Sequence, residues 1–312
     1  MPVAARRGLS PSLQLPGLNH VSKSSNQAND TNAIIDSVLH PTDFSEGSRV
    51  AFHHALKTAL LTRSRLTLMH VAPDMSSQWD EFPAIRETLE HWGLLPKGSP
   101  RSAVAELGID ARKVVTQESN PVEAVLRYLE RHPAELIVLA THQREGRMRW
   151  LGKSVAEPVA RRAAQMTLFI PGDSQGFVSA DDGSITLSRV LIPVANSPKP
   201  QPAIEAAARL VRRMNCSQGT VTLLHVGQSD TMPAVRCPEV AGWNWTKKVQ
   251  SGDVIQNIVD AGNEADLIVM ATDGRNGFLD ALRGSHSERV LRICATPLLT
   301  IHEESTVSES LR

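Results

Sequence analysis

The segment Val221-Thr222-Leu223-Leu224-His225-Val226 repeats Leu66-Thr67-Leu68-Met69-His70-Val71 almost letter for letter. Two further echoes keep the same order along the chain. Arg189-Val190-Leu191-Ile192-Pro193 answers Ser37-Val38-Leu39-His40-Pro41, and Ala265 to Thr272 (ADLIVMAT) answers Ala134 to Thr141 (AELIVLAT). The spacing, about 130 to 150 residues, is far longer than a solenoid repeat. The duplicated unit is therefore a whole domain, and 312 residues suit about two of them. Two similar domains in one chain most simply pair about a pseudo-twofold axis.

Within each copy, short apolar runs alternate with helical spacing, which predicts a doubly wound parallel sheet with helices on both faces. In the first copy the strands fall at Ser37–Pro41, Leu66–Val71, Val114-Val115, Leu136–Leu139 and Thr167–Ile170, giving five. Pro121 suits the first turn of a helix. The domains are read as 33–171 and 187–303, with a linker at 172–186 that is rich in Gly, Ser and Asp. Residues 1–32, rich in Ser, Asn, Pro and Gly, read as a disordered tail, and 304–312 as a second tail. Arg6 and Arg7 precede any acid, but no amphipathic arginine face supports a transit peptide.

The stretch Leu267 to Arg292 carries the most chemistry. An apolar run, Leu267 to Met270, reads as a strand buried on both faces. A loop with Gly274, Gly277 and Gly284 follows, and Ser285 stands where a helix N-cap belongs. Strand, glycine loop and helix N-terminus together aim backbone N–H groups and a helix dipole at one point, which suits a phosphate. The same glycines equally serve a tight strand-to-helix turn.

Taken together, these motifs resemble the universal stress protein family in its tandem, two-domain form. The resemblance covers residues 36–302 and rests on Pro-Thr-Asp-Phe-Ser-Glu (41–46), the His-Val strand ends and the loop after the fourth strand. It implies two five-stranded parallel domains of adenine nucleotide alpha hydrolase-like fold, paired through their fifth strands. It also implies ATP, with magnesium, at the carboxyl edge, and a stress-response regulator rather than an enzyme. In nucleotide-binding members the loop reads Gly-x2-Gly-x9-Gly-Ser/Thr. Domain 2 presents Ala271, Gly274, Gly284 and Ser285 at these positions, so one glycine is replaced. The resemblance adds Pro193, Val194, Val226 and Met270 to that site, but the family's acid is Ala195 here. Domain 1 keeps the acid, as Pro41-Thr42-Asp43, with Val71 beside it. Its loop carries Ala140, Gln143 and Lys153 in place of glycines, and only Ser154 matches. Backbone approach to phosphate needs missing side chains more than it needs one acid, so domain 2 is the better expected cradle.

Other function classes find little support. Gly146 to Ser154 misses the P-loop spacing by one residue. The eleven histidines form no metal motif, and no Gly-x-Ser-x-Gly elbow occurs. No residue near the loop is placed as a general base for water attack. The formal net charge is zero, which offers no electrostatic case for nucleic acid or membrane. Three cysteines without ligand spacing fit a reducing cytoplasm. An interaction scaffold of the same fold, its ligand lost, is the competing reading, with a slow ATPase third.

The repeats also differ between their second and third strands. Domain 1 has Ala72 to Arg112 there, but domain 2 has only Gly227 to Gly242, with Pro233 and Pro238. Prolines leave little room for a helix, so one sheet face is expected to lack its cover. Trp243 and Trp245 follow and share a strand face. They are expected to fill or border that face, either as a partner or self-association surface or buried beneath the crossover.

Overall fold

A computed structural model describes residues 35–72, 81–141, 155–163, 165–272 and 286–302. The first half contains β1 (Ser37–Pro41), α1 (Glu46–Thr62), β2 (Arg65–Ala72), α2 (Ile85–His91), α3 (Ser102–Glu106), β3 (Asp110–Gln117), α4 (Pro121–Arg131), β4 (Leu136–Thr141), α5 (Ala156–Ala163) and β5 (Met166–Pro171). The second contains β6 (Arg189–Pro193), α6 (Gln201–Arg213), β7 (Gly219–Val226), β8 (Trp243–Gln250), α7 (Val254–Gly262), β9 (Leu267–Thr272), α8 (His286–Ile293) and β10 (Leu298–His302).

All ten strands join one sheet in the order β3-β2-β1-β4-β5-β10-β9-β6-β7-β8. Each half is parallel, and the halves meet where β5 runs antiparallel to β10. The register repeats between halves. Val38 pairs with Leu136 and Leu39 with Ile137, as Val190 pairs with Leu267 and Leu191 with Ile268. The fifth-strand pairing implied by the resemblance is thus present.

The long apolar runs of β4 and β9 are buried because both sheet faces are covered. One core layer lies under α1 and α6 and includes Phe52, Leu56, Leu168, Ile192, Ile204 and Leu299. The other includes Val125, Phe169, Ile258, Val290 and Leu298, under α4, α5, α7 and α8. Each layer crosses the seam, so the halves share both cores. At the opposite strand ends, one carboxylate in each half staples two strands. Glu135 accepts from the Ser37 N–H at 2.7 Å, and Asp266 accepts from the Ser188 and Arg189 N–H groups at 2.9 Å.

The domain 2 crossover forms a single 3₁₀ turn (Ser229–Thr231) and no α-helix. The sheet face is nevertheless covered, which corrects the expectation of a bare face. Val240 is buried there, and Met232, Val235 and Cys237 pack against the same core layer. The chain folds over both indoles. Trp243 is buried and donates Nε1–H to the Cys216 carbonyl, and half-buried Trp245 donates to the Pro238 carbonyl, both at 2.9 Å. Extended backbone does the covering that two short helices do in domain 1.

Candidate functional site

In each half the first and fourth strands pair only briefly and then part. Beyond Leu39↔Ile137 and Leu191↔Ile268 no further pairing joins them. This divergence is the topological switch point of a doubly wound sheet, where ligands bind beyond the carboxyl ends of the strands.

In domain 2 the crevice is edged by Pro193, Val194, Val226, Met270 and Ala271, the ends of β6, β7 and β9. Strand alternation divides them. Val194 and Ala271 belong to the core layer under α6, while Met270 and Val226 belong to the layer of α7 and α8. Val194 is fully committed: its N–H donates to the Leu224 carbonyl at 2.8 Å, and its carbonyl accepts from His225 Nδ1 at 3.0 Å. His225 Nε2 lies 2.9 Å from the Thr231 hydroxyl, tying the 3₁₀ turn to the crevice. Gly274, Gly284 and Ser285, in the 273–285 connection, lie outside the described residues.

Domain 1 repeats the frame. Thr42 N–H donates to the Met69 carbonyl and His70 Nδ1 donates to the Thr42 carbonyl, each at 2.8 Å. His70 and His225 therefore perform one structural task in both repeats, as their position at the strand ends suggests. Thr42 Oγ1 also accepts from the Phe44 N–H. Phe44 sits in the left-handed region (φ 62°) and stacks on His70 with ring centroids 4.1 Å apart. Val71 and Ala140 end β2 and β4 at the same edge. Lys153 and Ser154 lie outside the described residues.

Asp43 is engaged in an unexpected way. Its Oδ1 accepts from the Ser48 hydroxyl at 2.5 Å and from the Ser45 N–H at 3.1 Å. Ser45 in turn caps α1 by accepting from the Ser48 N–H. The acid is thus part of the apparatus that starts α1. In domain 2, α6 starts after Pro200 with no side-chain cap, and Ala195 fits a helix start that uses no acid.

No local signal in the sequence singles out His40. It lies on β1 at the switch point, where its repeat counterpart is Ile192. The ring is fully buried and donates Nδ1–H to the Val138 carbonyl of β4 at 2.9 Å, bridging the strands as they part. Burial pushes its pKa down to about 4, so the ring is neutral, and Nε2 has no hydrogen-bond partner among the described residues.

Because β5 and β10 are antiparallel, the carboxyl ends of β1–β5 and of β6–β10 lie on opposite edges of the sheet. Asp43, just past β1, and the end of β9, from which the 273–285 connection leaves, are therefore on opposite edges. Among the described residues no cluster of His, Cys, Asp and Glu could hold a metal ion. Nor is any helix among them long and apolar enough to cross a membrane.

Two doubly wound halves fused through their fifth strands, each with a switch-point crevice, define a tandem α/β protein. The family model described as "Universal stress protein family" matches residues 35–171 and 238–302, and the chain belongs to that family. The second match begins after β6, α6 and β7, although these occupy places equivalent to β1, α1 and β2. A universal stress protein of Mycolicibacterium smegmatis is 23% identical over 291 residues, covering 85% of this chain and 96% of that one. Among solved structures, a universal stress protein from Archaeoglobus fulgidus aligns with a TM-score of 0.55 at 19% identity, covering 85% of this chain and 96% of that chain. A functionally unknown protein from Pseudomonas aeruginosa PAO1 aligns with a TM-score of 0.53 at 12% identity, covering 87% and 94%.

Proposed function

We propose that the protein is an adenine-nucleotide-binding regulator of the stress response, and that domain 2 is the half that takes the nucleotide. One observation carries the reading. β6 and β9 part beyond Leu191↔Ile268, and the connection leaving β9 at that crevice bears Gly274, Gly284 and Ser285 ahead of the α8 N-terminus. Backbone N–H groups and the helix dipole there suit the phosphates of ATP, with or without magnesium. Val226 and Met270, on one sheet face, offer apolar contact to the base. We read turnover as not the function: Pro193, Val194, Val226, Met270 and Ala271, the described residues that edge the crevice, include no acid or base, and any ATP hydrolysis runs below the typical enzyme rate of about 1 s⁻¹.

Domain 1 is read as a scaffold half. Its acid is engaged at the start of α1, and its loop carries Gln143 and Lys153 in place of glycine. Titration of the full chain with ATP and magnesium by calorimetry tests both statements. One site per chain is expected, and Gly284→Lys, which copies domain 1, removes it. Two equivalent sites, or no heat at millimolar ATP, would show the assignment to be wrong.

A further inference from the structure

The segment joining the halves, residues 172–188, has linker composition but is built like part of the core. Phe177, Val178 and Leu187 are buried. Its turn closes on itself, with Ser179 N–H donating to the Ser184 carbonyl and Thr186 N–H to the Phe177 carbonyl. The far end is pinned where Trp92 Nε1–H donates to the Ala180 carbonyl at 3.0 Å.

The near end rests on one imidazole. His54 of α1 is fully buried, and its Nδ1 lies 2.8 Å from the Val50 carbonyl, which can only accept. Nδ1 therefore carries the proton, and in the neutral ring Nε2 is a bare acceptor. The backbone N–H groups of both Phe177 and Val178 donate to that one atom, at 3.0 and 3.2 Å. The Phe177 ring meets the imidazole edge-on, with centroids 4.6 Å apart. Gly176 lies at φ 65°, and a Cβ there would run into the His54 ring. The fit is specific to a bare backbone passing over a neutral histidine.

We propose that His54 is a proton-gated latch: uncharged, it holds residues 172–188 against α1, and protonated, it lets them go. A second proton would sit on Nε2 and face two N–H donors, so both hydrogen bonds are lost together and like partial charges are left in contact. Release uncovers the α1 surface under Phe177 and Val178, and leaves the halves held by the β5–β10 seam.

The other ionisable groups on the surrounding elements are Glu46, Arg49, His53 and Lys57 on α1, His40 on β1, Arg86, Glu87, Glu90 and His91 on α2, and Asp173, Asp181 and Asp182 on the segment itself; β4 and β5 carry none. Burial is the largest influence on His54 and pushes its pKa down to about 4, with His53 adding to the effect. Once the segment lifts, the ring regains water and moves back toward its ordinary value of 6.5. The folded value lies below the opened value, so opening is favoured as pH falls from 6.5 toward 4.

The test is hydrogen exchange of the Phe177 and Val178 amides in the full chain between pH 7 and pH 4.5, corrected for intrinsic exchange chemistry. The opening equilibrium should rise about tenfold per pH unit below 6.5, the signature of one linked proton, while Leu168 and Phe169 of β5 stay protected. His54→Gln keeps an acceptor that does not titrate, and should flatten the slope. His40→Ile, which removes the other fully buried imidazole among the described residues, should leave it unchanged. A flat response in the natural chain, a slope that survives His54→Gln, or β5 amides exchanging in step with the segment would each overturn the latch. If His54→Gln does not fold, Gly176→Ala takes its place. Its methyl pushes ring and segment apart, so exchange should be fast at pH 7 without a slope, and a retained slope would count against the proposal.

Discussion

Leu168 and Leu299 stand directly opposite each other at the antiparallel seam. They are also repeat equivalents, since β4 and β9 fix both by the same register. The seam pairs Thr167 with Thr300 and Phe169 with Leu298, so exchanging the repeats maps it onto itself. The pseudo-twofold axis therefore passes through this leucine pair. Both leucines lie in the core layer that α1 and α6 share.

Leu168→Ala and Leu299→Ala should each lose about 2–5 kcal/mol, the range for buried leucine truncation. Because the two are paired, the double variant should lose less than the sum, by about 0.5–3 kcal/mol. Urea unfolding followed by a probe in each half checks this. Additive losses would mean that the halves are stabilised independently.

Trp243 and Trp245 make a graded pair. Trp243 is buried with its Nε1–H bonded to Cys216, while Trp245 is half-buried against the crossover. Trp243→Ala should lose about 3–5 kcal/mol, and Trp245→Ala clearly less. A melting temperature unchanged by either variant would restore the reading of an exposed contact surface.

His40 gives a second acid-sensitive position, independent of the segment at 172–188. Its folded pKa of about 4 lies below the ordinary 6.5. The neutral ring therefore supports the fold fully above 6.5, and the support drains as pH falls toward 4, by on the order of 3 kcal/mol. His40→Ile copies Ile192 of the other repeat. At pH 7 it should cost no more than about 1–3 kcal/mol, for the lost hydrogen bond to Val138. Toward pH 4.5 the gap should close, and urea titrations at both pH values measure it. A gap that stays constant would exclude the buried ring as the cause.

The strands and their duplication were legible because strands buried on both faces leave contiguous apolar runs, and because the runs occur twice; the pairing of the halves was implied by the family resemblance. The helix start at Pro121 was legible for a similar reason, since a proline in the first turn is local chemistry. What the sequence hid is long-range. Nothing local marks 172–188 as core, because its order depends on His54, more than a hundred positions earlier. His40 reads as one polar residue in an apolar strand, and only the parting of β1 and β4 explains it. Asp43 was legible as an acid at the crevice, but its engagement with Ser48 depends on how α1 begins. The crossover misled in the opposite sense, since prolines exclude a helix but do not prevent extended chain from covering tryptophan.

The division of the motif between repeats yields the last prediction. Asp43 follows β1 and the 273–285 connection leaves β9, strands whose carboxyl ends lie on opposite edges of one sheet, so each part of the motif must be judged within its own half. If domain 2 alone takes nucleotide, Asp43→Ala should leave ATP affinity unchanged. It should still destabilise the fold by about 0.5–2 kcal/mol, as lost capping interactions do. Gly284→Lys should do the reverse, abolishing binding with little change in melting temperature, because the position falls in the sequence between β9 and α8. Calorimetry and thermal unfolding of the two variants, side by side, separate the outcomes. Lost affinity in Asp43→Ala would place the nucleotide in domain 1, where the 2.5 Å contact with Ser48 would have to open to admit it.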